Sequence, residues 1–192
     1  MNPKVLVDRS HVVLKPVLRA AAVLALVAAV AAPAAASPPA PPAPPSTSEV
    51  SLRGTARLGY PVAEEEVRVT VDAHAAFGAG SFPTRSWGTF RISHVVDGRD
   101  HWGVFEVDCL TSGGPTATVT GRLVRTSPGH VWRKELEPHT RMGLGFYVPG
   151  GGTARVGLSG ATAEGEPLLT RCMAPAADME VVDGGYSLRG AR

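Results

Sequence analysis

The sequence predicts an all-β domain, an antiparallel meandering barrel of about eight strands with a β-sandwich as the alternative. Three observations predict it. Apolar and polar residues alternate with a two-residue period in successive segments, no segment of comparable length carries the 3.6-residue period of an amphipathic helix, and Gly/Pro clusters separate the alternating stretches. A barrel is preferred to a sandwich because closure removes exposed edges and the one-sided alternation needs a single interior to fill.

The clearest strand is 66–75, with Val67, Val69, Val71, Ala73 and Ala75 on one face and Glu66, Arg68, Thr70, Asp72 and His74 on the other. Similar alternation runs through 87–96, 102–109, 116–125, 142–148 and 153–158, and more weakly through 49–57 and 179–188. The punctuation falls at Gly78-Ala-Gly80, Asp97-Gly98, Gly113-Gly114-Pro115, Ser127-Pro128-Gly129, Pro149-Gly150-Gly151-Gly152 and Asp183-Gly184-Gly185. A short helical turn fits within 131–138, limited by Pro138.

Ahead of this domain, residues 1–36 have the three parts of a secretory signal. Lys4, Arg9, Lys15 and Arg19 precede an uninterrupted apolar run from Ala20 to Ala32, and Ala34-Ala35-Ala36 supplies small residues for cleavage between Ala36 and Ser37. The run falls short of the roughly 20 residues of a spanning helix, so the expectation is release after cleavage with no stable membrane insertion. Residues 37–48, SPPAPPAPPSTS, contain six prolines and read as an extended spacer. The domain proper is 49–192.

Cleavage changes the charge. The whole chain has 19 Lys plus Arg against 17 Asp plus Glu; residues 1–36 hold four of the basic groups and one acidic group, leaving 15 against 16. A mature chain near neutrality, without a concentrated basic face, gives no reason to expect nucleic acid as a partner. It also lacks Asn and Gln, and its only lysine is Lys134, so N-glycosylation is impossible and a Schiff-base enzyme would have to use that residue. The Ala/Gly/Arg/Pro-rich usage is that of GC-rich coding, as in an actinomycete.

Cys109 and Cys172 are the only two thiols, 63 positions apart. In an oxidising compartment such a pair is expected to form a disulfide. A catalytic thiol or a metal pair is the alternative, but neither CxxC nor a Cys-rich cluster is present.

The best-defined polar constellation is the histidine pair flanking the Asp97-Gly98 turn. A two-residue loop sets His94 opposite His101, whereas a four-residue loop sets Arg91 opposite Glu106 and makes the histidines diagonal neighbours. Either register lines one side with Phe90, Ile92, His94, His101, Phe105, Val107 and Cys109. His94 and His101 are therefore the candidate ligand site. Zinc normally takes three or four protein ligands, and the sequence offers only Asp97 or Asp100 as local additions, so rim histidines bonded to backbone or water are the simpler reading.

The remaining motifs point to structure. His74 shares a polar face with Asp72 and Arg68. Gly157-Leu-Ser-Gly160 lacks the spacing and strand-to-helix setting of a nucleophile elbow, and Gly150-Gly151-Gly152 precedes a strand instead of the helix that a phosphate loop needs. Glu64-Glu65-Glu66 reads as a solvated charge run, and Trp87, Trp102 and Trp132 as packing residues with a sugar-stacking platform as the alternative. No residue is nominated as catalytic, cofactor-binding or metal-ligating, and no cofactor is expected.

The runs Gly88-Thr-Phe-Arg-Ile-Ser-His94, Val107-Asp-Cys-Leu110 and Gly114-Pro-Thr-Ala-Thr-Val-Thr-Gly121 resemble segments of small secreted actinomycete-type proteins of unknown function, some labelled repetin. The likeness spans roughly 50–175. It implies an exported, β-barrel-like domain and, through Cys109, a bonded cysteine; it implies no activity.

The functional expectation is a secreted, non-enzymatic domain that binds a small apolar ligand or an extracellular envelope partner, since a barrel of about eight strands can enclose one small molecule. The alternatives are a secreted inhibitor or interaction protein acting through its loops and a hydrolase or isomerase using His94 and His101.

Overall fold

A computed structural model describes residues 47–132, 140–162 and 165–190. The signal, the Ala36/Ser37 cleavage position, nearly all of the spacer, Lys134 and almost all of the 131–138 turn lie outside the described residues. The described residues belong to one compact unit, Ala43–Arg192.

Among them, eight antiparallel strands follow one another around a closed barrel: β1 (Ser48–Leu58), β2 (Glu66–Phe77), β3 (Pro83–Val96), β4 (Arg99–Gly113), β5 (Thr116–Thr126), β6 (Arg141–Tyr147), β7 (Arg155–Leu158) and β8 (Met179–Arg189). Each strand pairs with its sequence neighbours, and β8 returns to pair with β1, with Leu52 opposite Leu188 and Gly54 opposite Tyr186. The expected meandering barrel is thus the observed fold, and all eight alternating segments are strands. Closure is narrowest between β7 and β8, which share only the pairs Arg155–Glu180 and Val156–Met179, so the rest of β8 pairs with β1 alone.

The alternation places the core. Val50, Leu52, Ala56 and Leu58 of β1 and Val67, Val69, Val71, Ala73 and Ala75 of β2 are buried, while the intervening residues face outward. Aromatic rings occupy the middle of the barrel. Phe90 stacks on Phe105 with ring centroids 4.7 Å apart, and Phe146 meets Tyr186 edge-on at 5.0 Å. Glycines make room for them: a Cβ on Gly121 would sit 2.7 Å from the Phe90 ring, and one on Gly54 2.9 Å from that of Tyr186. The Tyr186 hydroxyl donates to the Val69 carbonyl at 3.1 Å, and burial pushes its pKa up, Arg68 pulling weakly the other way.

Two readings of the sequence need correction. Asp183-Gly184-Gly185 is not a turn but lies within β8, where the register against β1 shifts between Arg57 and Leu58. The extra residue at the shift is Val182; Gly184 itself pairs with Ala56, has φ 80°, and a Cβ there would lie 2.2 Å from the Thr55 carbonyl oxygen, so the glycine serves a close strand approach. Cys109 does not share the inner stripe with Phe105 and Val107. Asp108 is an extra residue in β4, since Val107 pairs with Gly121 and Cys109 with Thr120. One inserted residue flips the faces, so Leu110 enters the core and Cys109 is buried on the outer side, apart from the core cluster.

There Cys109 bonds to Cys172, with Cα atoms 5.3 Å apart. The irregular segment 169–177 lies over the outer wall of β4–β7 as a strap. Asp108 is its hub: its carboxylate accepts from Arg141 Nε at 2.7 Å and Thr120 Oγ1 at 2.6 Å, and its carbonyl accepts from Arg171 Nε at 2.7 Å. Arg141 also donates to the Leu169 carbonyl at 2.7 Å, and the Cys172 amide donates to Thr120 Oγ1 at 3.2 Å. The strap approaches this closely because Gly143, Gly145 and Gly157 face it; a Cβ on any of them would fall within 2.2 Å of a strap carbonyl. A buried disulfide fits an oxidising environment. Among the described residues no helix is long and apolar enough to cross a membrane.

Candidate functional site

The up-and-down topology sends alternate loops to opposite ends of the barrel. One end gathers the short β2–β3, β4–β5 and β6–β7 connections. The other gathers the β1–β2 loop, the Asp97-Gly98 turn and the long β5–β6 and β7–β8 connections. A cavity of about 420 Å³ opens at this second mouth.

The β3–β4 hairpin positions its first wall. Asp97 and Gly98 have φ of 49° and 73°, as a two-residue type I′ turn requires. Of the two registers open to the sequence, this turn selects the one with His94 opposite His101. Phe90, Ile92, Phe105 and Val107 continue the stripe into the core, as the alternation predicts. The two imidazoles stand where the stripe leaves the core and reaches the cavity.

The other walls come from residues the sequence did not connect with this pair. His130, in the β5–β6 loop, is 5% exposed and lies with its ring centroid 5.8 Å from that of His101. Its Nδ1 accepts the Trp132 amide proton at 3.0 Å. The Trp132 indole fills the space above Gly103, where a Cβ would sit 2.5 Å from the ring, and meets Phe105 edge-on at 5.8 Å. Trp132 thus touches both the core and the cavity. Tyr60 lies edge-on to His94 at 5.2 Å, and His94 Nε2 donates to Glu65 Oε2 at 2.5 Å. Val67, Ile92, Val96, Met142 and Leu158 supply the apolar remainder. Burial and then the neighbouring His101 lower the His130 pKa below its ordinary value, which favours the neutral ring.

The missed residues had little signal. His130 and Trp132 follow the Ser127-Pro128-Gly129 turn, where no periodicity predicts side-chain direction. Glu65 sits in the acidic run read as solvated, yet it reaches His94. Gly103, interrupting an apolar face opposite Ile92, was the available hint that a large ring enters from elsewhere.

The other candidates separate in space. His74 lies on the outer wall, its Nε2 2.8 Å from Asp72 Oδ1 and 3.1 Å from Arg53 Nη2, and stacks on Trp87 at 5.3 Å. Trp102 lies under Arg91, so Trp87, Trp102 and Trp132 do not form one platform. Ser159, from the Gly157–Gly160 run, lines the mouth but its hydroxyl accepts the Gly143 amide proton at 2.9 Å. A larger but more open depression of about 630 Å³ lies where Pro175–Ala177 cross the wall near Gly145; it lacks the apolar depth of the mouth.

Chemically, the mouth offers an apolar enclosure with imidazole groups on its wall. Among the described residues no group of three or more His, Cys, Asp or Glu side chains is placed to hold a metal ion. Fold and site together define a core-filled antiparallel barrel with a histidine-walled mouth. No family model, curated protein or solved structure matches the chain.

Proposed function

We propose that the protein is an exported, non-enzymatic carrier or receptor domain that binds one small apolar molecule at the loop-rich mouth of its barrel. The observation that carries this reading is the cavity itself. It combines about 420 Å³ of space with branched aliphatic walls and a few polar groups converging from three directions, the usual make-up of a small-molecule site. The interior below is occupied by Phe90, Phe105, Phe146 and Tyr186, so the ligand sits in the mouth and not along the barrel axis. Export is supported by the signal features of residues 1–36 and fits the buried Cys109–Cys172 bond. The likeness to secreted actinomycete-type β-domain proteins points the same way.

Fluorescence titration of the disulfide-intact domain with the uncharged probe N-phenyl-1-naphthylamine tests the reading. The expected result is saturable, one-to-one enhancement, weakened at least tenfold by Val96→Trp, which fills the cavity from the rim. Absence of saturable binding, or binding indifferent to Val96→Trp, overturns it.

A further inference from the structure

We infer that the mouth takes an apolar molecule ending in a carboxylate, whose two oxygens accept hydrogen bonds from His101 and His130. This deepens the ligand-binding reading and rests on it.

Because His130 Nδ1 accepts the Trp132 amide proton, a neutral His130 carries its proton on Nε2. Among the described residues nothing in the protein accepts that proton, and the ring is almost wholly withdrawn from solvent on the wall of an apolar cavity. The Nε2 edge is not one of the fully buried polar atoms left without a partner, so it reaches cavity space, where a ligand oxygen can accept from it. His101 is its ring neighbour and has no hydrogen-bond partner among the described residues. Two adjacent donors with no acceptor match a group with two acceptor oxygens.

Charge selects among such groups. The titratable side chains on the cavity wall are Tyr60, His94, His101 and His130, with Glu65 behind His94. Glu65 already takes the His94 Nε2 proton and repels an anion from that side, which directs the head group to His101 and His130. Among the described residues no Arg or Lys lines the cavity, so the dianionic phosphate that guanidinium forks recognise is a poorer match than a monoanion. Burial and the neighbouring His101 lower the His130 pKa, which favours this ring as a neutral donor. A carboxylate placed beside the two rings then favours the imidazolium form, so binding draws a proton from solution.

Calorimetric titration of the disulfide-intact protein with naphthalene-1-acetate and decanoate, and with the two corresponding carboxamides, tests this in buffers of different ionisation enthalpy. The expected outcome is one-to-one binding of the carboxylates at least tenfold tighter than the carboxamides, with net proton uptake. In His101→Phe and His130→Phe the preference should fall to within about twofold while carboxamide affinity stays within about threefold. Should the buried His130→Phe variant not fold, the more accessible His101→Phe decides. A preference below tenfold, one without proton uptake, or one that persists in His101→Phe overturns the carboxylate assignment and leaves the apolar-ligand reading standing. Failure of all four compounds and of N-phenyl-1-naphthylamine to bind overturns both.

Discussion

The strapped wall and the open mouth of this barrel use polar groups in opposite ways. At the wall, Asp108, Thr120, Arg141 and the strap backbone satisfy one another, glycines bring strap and sheet into close contact, and a covalent bond ties the two. At the mouth, His101 has no hydrogen-bond partner among the described residues and His130 has one nitrogen engaged, both in apolar surroundings. The wall's polar groups hold strap and sheet together, whereas the imidazole nitrogens left without protein partners beside the cavity are the ones the proposed ligand would use.

The largest effects are expected at the wall. Replacing both cysteines by serine opens a 63-residue loop and should lower unfolding free energy by roughly 4 kcal/mol in urea denaturation. Mouth-ligand affinity at low denaturant should change little. If the double serine variant loses the mouth ligand while still folded, the two regions are not separable. Asp108→Ala comes next: it takes the carboxylate from the largely buried Arg141 guanidinium, leaving it the Leu169 carbonyl alone, and removes the acceptor of the Thr120 hydroxyl, at a cost of about 3 kcal/mol. Asp108→Asn should recover part of that cost, because the amide oxygen still accepts.

A smaller effect sharpens the role of the glycines. A Cβ on Gly157 would lie 1.9 Å from the Ala176 carbonyl oxygen, whereas one on Gly150 in the β6–β7 loop meets nothing within 4 Å. Gly157→Val should therefore lift the strap and destabilise by about 2 kcal/mol, while Gly150→Val stays within about 0.5 kcal/mol of the parent. Thermal unfolding of the pair reads the difference directly. Equal midpoints would show that the strap tolerates displacement.

The same contrast explains what was legible in the sequence. The wall strands and the core are periodic, so Val67, Val69 and Val71 declare their face, and the Asp97-Gly98 dipeptide declares a hairpin. Even the disulfide follows from counting thiols. The side on which Cys109 lies did not follow, because the Asp108 bulge breaks the period and is visible only in the pairing of β4 with β5. The mouth was half legible. His94 and His101 are two turns of alternation from Phe90 and Phe105, but His130, Trp132 and Tyr60 arrive from loops, where distant chain segments are joined by packing and not by local pattern. Asp183-Gly184-Gly185 shows the converse failure: turn chemistry in the sequence, answered in the fold by a close strand approach inside β8.

The smallest effect belongs to the mouth and distinguishes its chemistry from that of the wall. In the folded protein, burial and His101 lower the His130 pKa, whereas in the unfolded chain the ring regains its ordinary value of 6.5. As pH falls through that value, the unfolded state takes up the proton first, so unfolding becomes more favourable. The stability associated with a neutral His130 is thus fully present above pH 6.5 and is lost as pH falls toward the lower folded-state pKa. Once both states are protonated the loss is complete. The expected observation is a gentle decline in the urea midpoint below pH 6.5, smaller than any of the wall effects and absent in His130→Phe. Saturation with naphthalene-1-acetate should reverse its sign, since a bound carboxylate favours the protonated ring, and stabilisation by the ligand should then grow as pH falls. A decline that persists unchanged in His130→Phe would assign the pH sensitivity elsewhere and remove this difference between mouth and wall.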